Sequence, residues 1–281
     1  MCEFCHKHGE GKKWYLQAKN YAEDLLSDAD RRQFIRQFAR EADHLRENVD
    51  QLAKLRRAPA FIQRMVKASV TRTQKKQHFG QVVPIEEIKQ IFGFANSIVR
   101  IACICRYATM GERARYCYGM STGPGASSME SILGDVDDSY LGGPDTDRFE
   151  NLTPDEAIRA FEEHEREGLC HTVWTFITPY IGGICNCDRA ECLAMRATVT
   201  HDVKVMFRAE YVAEVNPDAC SGCRSCMRLC QFGALAYSAA RKKAHVDQYA
   251  CYGCGICRSV CTKEAIRLVP RADVAAVATM F

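Results

Sequence analysis

Cys220-x2-Cys223-x2-Cys226-x3-Cys230 recurs as Cys251-x2-Cys254-x2-Cys257-x3-Cys261, and nothing else in the chain restricts its fold as tightly. Thiolates are soft ligands suited to iron–sulfur clusters. Three cysteines at this short spacing wrap one face of a [4Fe–4S] cube. The fourth stands too far along the chain to close the same cube and ligates the neighbouring one. The expected sets are therefore crossed: Cys220, Cys223, Cys226 and Cys261 for one cluster, and Cys251, Cys254, Cys257 and Cys230 for the other. Two zinc sites fit less well, because zinc sites usually use cysteine pairs separated by a longer loop.

The two runs form an internal repeat offset by 31 residues, with Val215 matching Val246, Ala219 matching Ala250, Gly222 matching Gly253 and Ala234 matching Ala265. Because each half borrows its last ligand, the two halves make one folding unit. Gly222, Gly253 and Gly255 stand between ligands, where a tight turn tolerates no Cβ and bare N–H groups can face cluster sulfurs.

On these residues, the segment from about 208 to 271 resembles a bacterial two-[4Fe–4S] ferredoxin domain. The resemblance implies a small α+β fold and one-electron transfer between two nearby clusters. That family usually places Pro after the last cysteine of each run, whereas Gln231 and Thr262 stand here.

At 281 residues the chain has room for such a module and a larger domain with its own core. Seventeen cysteines in a chain this long, clustered as ligands and with no signal peptide ahead of them, read as reduced and cytoplasmic. No apolar run approaches the roughly 18 residues that span a bilayer. Net charge is +3, but it is unevenly spread. Residues 54–80 hold eight Lys/Arg and no Asp/Glu, while acidic residues dominate Glu130 to Gly168. A basic face of this kind docks acidic proteins, membranes or nucleic acid, or is simply solvated.

The expected class is α+β, a mainly helical N-terminal region followed by a small ferredoxin-type dicluster domain. The expected division is 1–80, 81–204 and 205–281. Helices are expected from Lys13 to Leu26, from Ser27-Asp28 through Phe34, Ile35, Phe38 and Leu45 to Pro59, and over Phe61 to Val70 with its stripe packed in the core. A further helix is expected from Ile85 to Val99, leading into Cys103. Residues 119–151 read as a long loop. Thr153-Pro154-Asp155-Glu156 is a capping box with Pro at the first helical position, and Gly168 is a suitable terminator. A strand-like stretch, Val203 to Val215, enters the last module.

Upstream lie Cys103-Ile104-Cys105-Arg106, Cys117, Cys170-His171, Cys185-Asn186-Cys187 and Cys192. A lone buried cysteine such as Cys170 can be an ordinary small hydrophobe. Two Cys-x-Cys pairs in one domain point to ligation. Cys103, Cys105 and Cys117 form one natural set and Cys185, Cys187 and Cys192 another, closing one site or two. Cys-x-Cys-Arg followed by Ile-Cys-Asn-Cys resembles a cysteine-rich module fused to dicluster ferredoxins in anaerobes' redox proteins, which implies electron transfer. Asp188, Arg189 and Ala190 stand where relatives often carry further cysteines. Arg106 reads as a donor to a cluster sulfur, a binder of an anionic partner, or an ordinary salt bridge. His171 reads as a ligand, a proton carrier or a core histidine.

Cys2-Glu3-Phe4-Cys5-His6 matches the haem-attachment pattern, but that chemistry is normally performed outside the cytoplasm. A zinc or iron site using Cys2, Cys5 and His6 or His8 is the preferred reading, and an unliganded terminus is a third. Three functions follow. The first is an electron-transfer subunit of a cytoplasmic oxidoreductase, docked on the basic 54–80 stretch, with two [4Fe–4S] clusters and at least one further centre upstream. The second is a redox enzyme with a catalytic upstream metal, and the third a redox-responsive nucleic-acid binder. Nucleic acid is not the expected partner, and no phosphate loop or dinucleotide fingerprint is present.

Overall fold

The computed structural model describes residues 2–123, 133, 139–145 and 149–280. Among these the chain is α+β. Much of the 119–151 loop expected from the sequence lies outside the described residues.

The N-terminal third is helical but more broken than its periodicity predicts. After the helix Glu3–Gly9, the segment expected as one helix runs through 3₁₀ turns at Trp14–Leu16 and Ala18–Tyr21 and a single turn at Glu23–Leu26. Side chains compete with the helical ladder there. Asn20 donates to the Trp14 carbonyl at 2.7 Å, and the Tyr21 hydroxyl to the Tyr15 carbonyl at 2.7 Å. Asp28 caps Ala29–Arg40 by accepting from the Asp30 and Arg31 amides. The chain breaks at Glu41, resumes as Ala42–Leu55, and passes Pro59 into Ala60–Gln77.

Ala60–Gln77 corrects the sequence reading. It buries no residue, and Phe61 and Met65 are 60% and 66% exposed. Of the apolar stripe expected to pack in the core, Phe61 and Met65 lie at the surface beside the basic side chains, while Ile62, Val66 and Val70 are half-buried.

Between these helices and the C-terminal module stands a seven-stranded sheet that the sequence reading did not foresee. Its strands are β1 (Gly80–Val82), β2 (Ser97–Ile101), β3 (Cys117–Ser121), β4 (Glu150–Leu152), β5 (Cys170–Thr175), β6 (Ile181–Cys187) and β7 (Met206–Phe207). The order is β4-β2-β3-β6-β5-β1-β7, antiparallel except where β1 runs parallel to β7. The helix expected to span Ile85 to Val99 ends at Phe92, because Gly93 follows and the β-branched Ile98, Val99 and Ile101 pair with β3 and β4 instead.

Side chains alternate across a strand, and here the two faces differ in chemistry. One face presents Tyr118, Ile184 and Val173 to the helices Ile85–Phe92 and Pro154–Glu167. The other presents Cys117, Cys185, Cys187, Cys170 and Trp174, along with Val99 and Ile101. The helix Pro154–Glu167 carries the full capping box on Thr153 and Glu156 and ends on Gly168 in the left-handed region, as its sequence predicts.

The last module consists of the hairpin β9 (Leu235–Ser238) and β10 (Lys243–Val246), and of β8 (Tyr211–Val215) paired with β11 (Ile266–Pro270). A helix Ser225–Leu229 and a 3₁₀ turn Ile256–Arg258 pack between them.

His164 is buried, with Nε2 2.9 Å from the Tyr118 hydroxyl. Burial, then Arg100, His171 and Arg106, push its pKa down to about 3. The unfolded chain binds that proton near the usual value of roughly 6.5, so between the two values the unfolded state holds more protons and stability falls as pH drops. His164→Gln is expected to reduce the loss of melting temperature between pH 7.5 and 5.5, a difference on the order of 1 kcal/mol. An unchanged loss in scanning calorimetry would contradict this.

Candidate metal centres

The repeat folds so that equivalent residues do equivalent work. Gly222 and Gly253 take φ of +72° and +75°, and a Cβ on either would meet a carbonyl oxygen, that of Lys242 at 2.2 Å or of Tyr211 at 2.1 Å. Ala234 N–H donates to Cys230 Sγ at 3.2 Å, and Ala265 N–H to Cys261 Sγ at 3.3 Å, one residue pair repeated. Gly222 N–H points at Cys220 Sγ at 3.4 Å and Ala213 N–H at Cys251 Sγ at 3.4 Å. Amides aimed at sulfur favour the thiolate, the form that binds metal.

Across the repeat the grouping is crossed. Cys226 feels the charges of Cys223, Cys261 and Cys220 after burial, and these four thiols line one small cavity. Cys257 is raised first by burial and then by Cys254, Cys251 and Cys230. Each run thus stands beside the fourth cysteine of the other. The first group is the outer one, since Cys223 is exposed, whereas Cys251 and Cys257 are buried.

The six upstream cysteines named from sequence come together. β3 and β6 pair with Cys117 opposite Cys185, and their sulfurs lie 3.2 Å apart. Cys103 neighbours Cys105 and Cys117, Cys105 neighbours Cys192, and Cys192 neighbours Cys187, and all six line one cavity. Those contacts from Cys105 and Cys117 hold Cys103 far below the ordinary thiol range against burial, and Arg106 adds to the effect. Cys187 is lowered by Cys192, but burial and Cys185 outweigh this and push it up to about 11.

Arg106 resolves as a buried salt bridge. It pairs with Asp188 and Glu191 and stacks over Tyr116 with 3.9 Å to the ring centroid. Burial opposes its charge, but Cys103, Asp188 and Glu191 outweigh that and hold it above its usual value. Asp188 is thus a counter-ion. His171 lies on the opposite face of the sheet from Cys170 and Cys185, with Nδ1 2.7 Å from Asn186 Oδ1 and its ring against Phe161. It faces away from the sulfurs, as a core histidine.

From sequence, Cys170 is an ordinary small hydrophobe of the core. It packs in one core cluster with Cys192, Cys230 and Cys254. It therefore stands between the upstream sulfurs and the inner group of the repeat. Only the pairing of Cys170 with Cys187 across β5 and β6 exposes that role. Gln231, where the ferredoxin pattern has Pro, donates to the Gly168 carbonyl at 2.9 Å and accepts from Arg189 N–H at 3.0 Å. It thereby ties the Cys230 loop to the upstream region.

At the N-terminus Cys2 and Cys5 are buried and His6 is exposed. The third neighbour is Glu210, whose Oε1 accepts from Cys5 Sγ at 3.1 Å and from Cys2 N–H at 3.1 Å. The Cys5 hydrogen bond, then burial, raise the Cys2 thiol above its usual value. Haem does not fit, because the histidine faces solvent while both sulfurs face inward.

The 4Fe-4S dicluster domain family matches residues 219–266. No curated protein matches the chain. The chain thus carries an iron–sulfur module of the 4Fe-4S type, and the crossed thiols with their amide donors suit such clusters. Among the described residues, no helix is long and apolar enough to cross a membrane.

Gly253→Ala forces a Cβ into the Tyr211 carbonyl. The expected result is loss of iron from the C-terminal module or destabilisation by roughly 2 kcal/mol or more. Iron analysis and thermal melts that match wild type would refute it.

Proposed function

We propose that the chain is an electron-transfer subunit that passes single electrons between a cytoplasmic oxidoreductase and another carrier. Cys220, Cys223, Cys226 and Cys261 hold the outer [4Fe–4S] cluster, and Cys230, Cys251, Cys254 and Cys257 the inner one. Cys103, Cys105, Cys117, Cys185, Cys187 and Cys192 hold a further iron–sulfur centre in a module spanning 81–204, between a helical region 1–80 and the dicluster domain 205–281. Clusters of this type supply one-electron oxidation and reduction at potentials set by their surroundings. The residues do the rest. Burial of Cys251 and Cys257 keeps water from the inner site, and N–H donors stabilise thiolate charge. Arg106 offsets negative charge at the upstream group.

The observation that carries this reading is that Cys170, Cys187 and Cys192 are buried in one core cluster against which Cys105, Cys185, Cys230 and Cys254 pack, which joins the upstream sulfurs to the inner group. Cys230→Ala should damage the cluster of Cys251, Cys254 and Cys257, and Cys105→Ala with Cys192→Ala should lower iron while leaving both C-terminal clusters. Iron and sulfide analysis with EPR of the reduced protein reads both. Cluster loss confined to the Cys220 run in the first variant, or unchanged iron in the second, would sink the assignments.

A second reading, an enzyme with chemistry at the upstream centre, draws on a cavity of about 440 Å³ that the six cysteines line together with apolar side chains such as Phe38, Val49 and Trp174. A change in the EPR signal of that centre on adding a small apolar ligand would favour it.

The partner docks on the basic region. Arg64, Lys67, Arg72, Lys75 and Lys76 line a groove of about 810 Å³ with Lys7 and Lys204, next to exposed Phe61 and Met65. Lys67 and Lys75 are paired with Asp202 and Glu3, so Arg64, Arg72 and Lys76 are the better probes. Opposite charge speeds encounter without demanding tight binding. Changing all three to Glu should slow electron exchange with an acidic carrier and flatten its salt dependence, with cluster spectra unchanged. Equal rates at every salt concentration would leave the groove merely solvated.

A further inference from the structure

Cys2, Cys5 and Glu210 form a group that the electron path does not use. Their ligand atoms all lie within 4.8 Å of one another, and all three residues are buried. The two sulfurs are 3.1 Å apart, and Cys5 Sγ is 3.1 Å from Glu210 Oε1. Tetrahedral zinc at about 2.0–2.3 Å from each donor sets the donors about 3.5–3.8 Å apart, so a small outward shift of these side chains admits it. A disulfide requires about 2.05 Å between sulfurs, far closer than they stand. The donor set mixes two soft sulfurs with a hard carboxylate, which suits zinc better than calcium or magnesium, whose ligands are all oxygen.

The seat is held from several sides. Phe4, between the two cysteines, stacks on Phe79 with centroids 4.2 Å apart and meets Phe207 edge-on at 6.0 Å. Downstream, the Lys13 ammonium meets both Glu87 and the Tyr211 hydroxyl, one residue beyond Glu210. The Glu210 carbonyl accepts from Arg271 N–H at 2.8 Å, and the Arg271 side chain donates to the carbonyls of Ala209, Tyr211 and Cys251. Glu210 thus sits on the rigid connection between β7 and β8.

We infer that Cys2, Cys5 and Glu210 bind one zinc ion, which fastens the N-terminal helix to the strand that enters the dicluster module. Zinc has no redox chemistry and does not join the electron path. Its effect is to close a loop of 205 residues between Cys5 and Glu210, and binding energy of this kind adds directly to stability.

The test uses the full chain, purified anaerobically from zinc-supplemented cells. About one zinc per chain is expected, with zinc-edge X-ray absorption showing sulfur at about 2.3 Å and oxygen at about 2.0 Å. Cys2→Ser with Cys5→Ser, and separately Glu210→Gln, should lower bound zinc at least about five-fold while iron, sulfide and the reduced EPR spectrum stay as in wild type. Wild-type protein without zinc, zinc with no sulfur neighbour, zinc retained in the double cysteine variant, or a Cys2–Cys5 disulfide found by peptide mapping would each overturn the inference. If a variant fails to fold, the wild-type absorption spectrum still decides.

Discussion

The register of β3, β6 and β5 is the constraint on which the upstream half of the molecule depends. Cys117 pairs with Cys185, and Cys187 with Cys170. With a side-chain period of two, this places all four sulfurs on one face and sends Tyr118, Asn186 and His171 to the other. A slip of one residue in β6 would exchange its faces, turning Cys185 and Cys187 toward Phe161 and carrying Ile184 and Asn186 into the thiol cluster. Two opposed helical covers hold the register, because each face is apolar in its own way. Helix starts then bring in further thiols: Cys103 immediately precedes Ile104–Met110, and Cys192 precedes Leu193–Met195.

Charge follows from that packing. Several thiols brought together under cover would repel as thiolates, and burial alone would keep them protonated. Arg106 is the local answer, a buried cation held by Asp188, Glu191 and the face of Tyr116. Arg271 plays a different part in the C-terminal module. It is fully buried, and its guanidinium gathers three backbone carbonyls around Cys251. There, burial, ahead of its other neighbours, lowers its pKa to about 10.

The junction between the two halves is specific rather than a flexible tether. Gln231 bridges to Gly168 and Arg189, Arg258 pairs with Glu86 at 2.7 Å, and Cys170 meets Cys254. A proline at position 231, as the ferredoxin pattern has, could make neither Gln231 contact. The departure from that pattern is therefore an interface feature.

The C-terminal module was legible because its spacing is itself the geometry: ligands three residues apart, glycines where φ must be positive, and a repeat that carries the same contacts twice. The capping box at Thr153 was legible for the same reason, since all its bonds lie within four residues. The seven-stranded sheet was not. Its short strands, two to seven residues and mostly buried on both faces, lack the alternation that announces a strand, and Ile85 to Val99 carried a helical pattern past its true end. The exposure of Phe61 and Met65, the turning of His171 away from the sulfurs and the meeting of Cys5 with Glu210 across 205 residues were likewise out of reach. Sequence alone determined which residues could bind metal, because that follows from side-chain chemistry and local spacing. Only the tertiary structure decided which of them meet, because strand register and long-range packing choose the face on which each side chain lies.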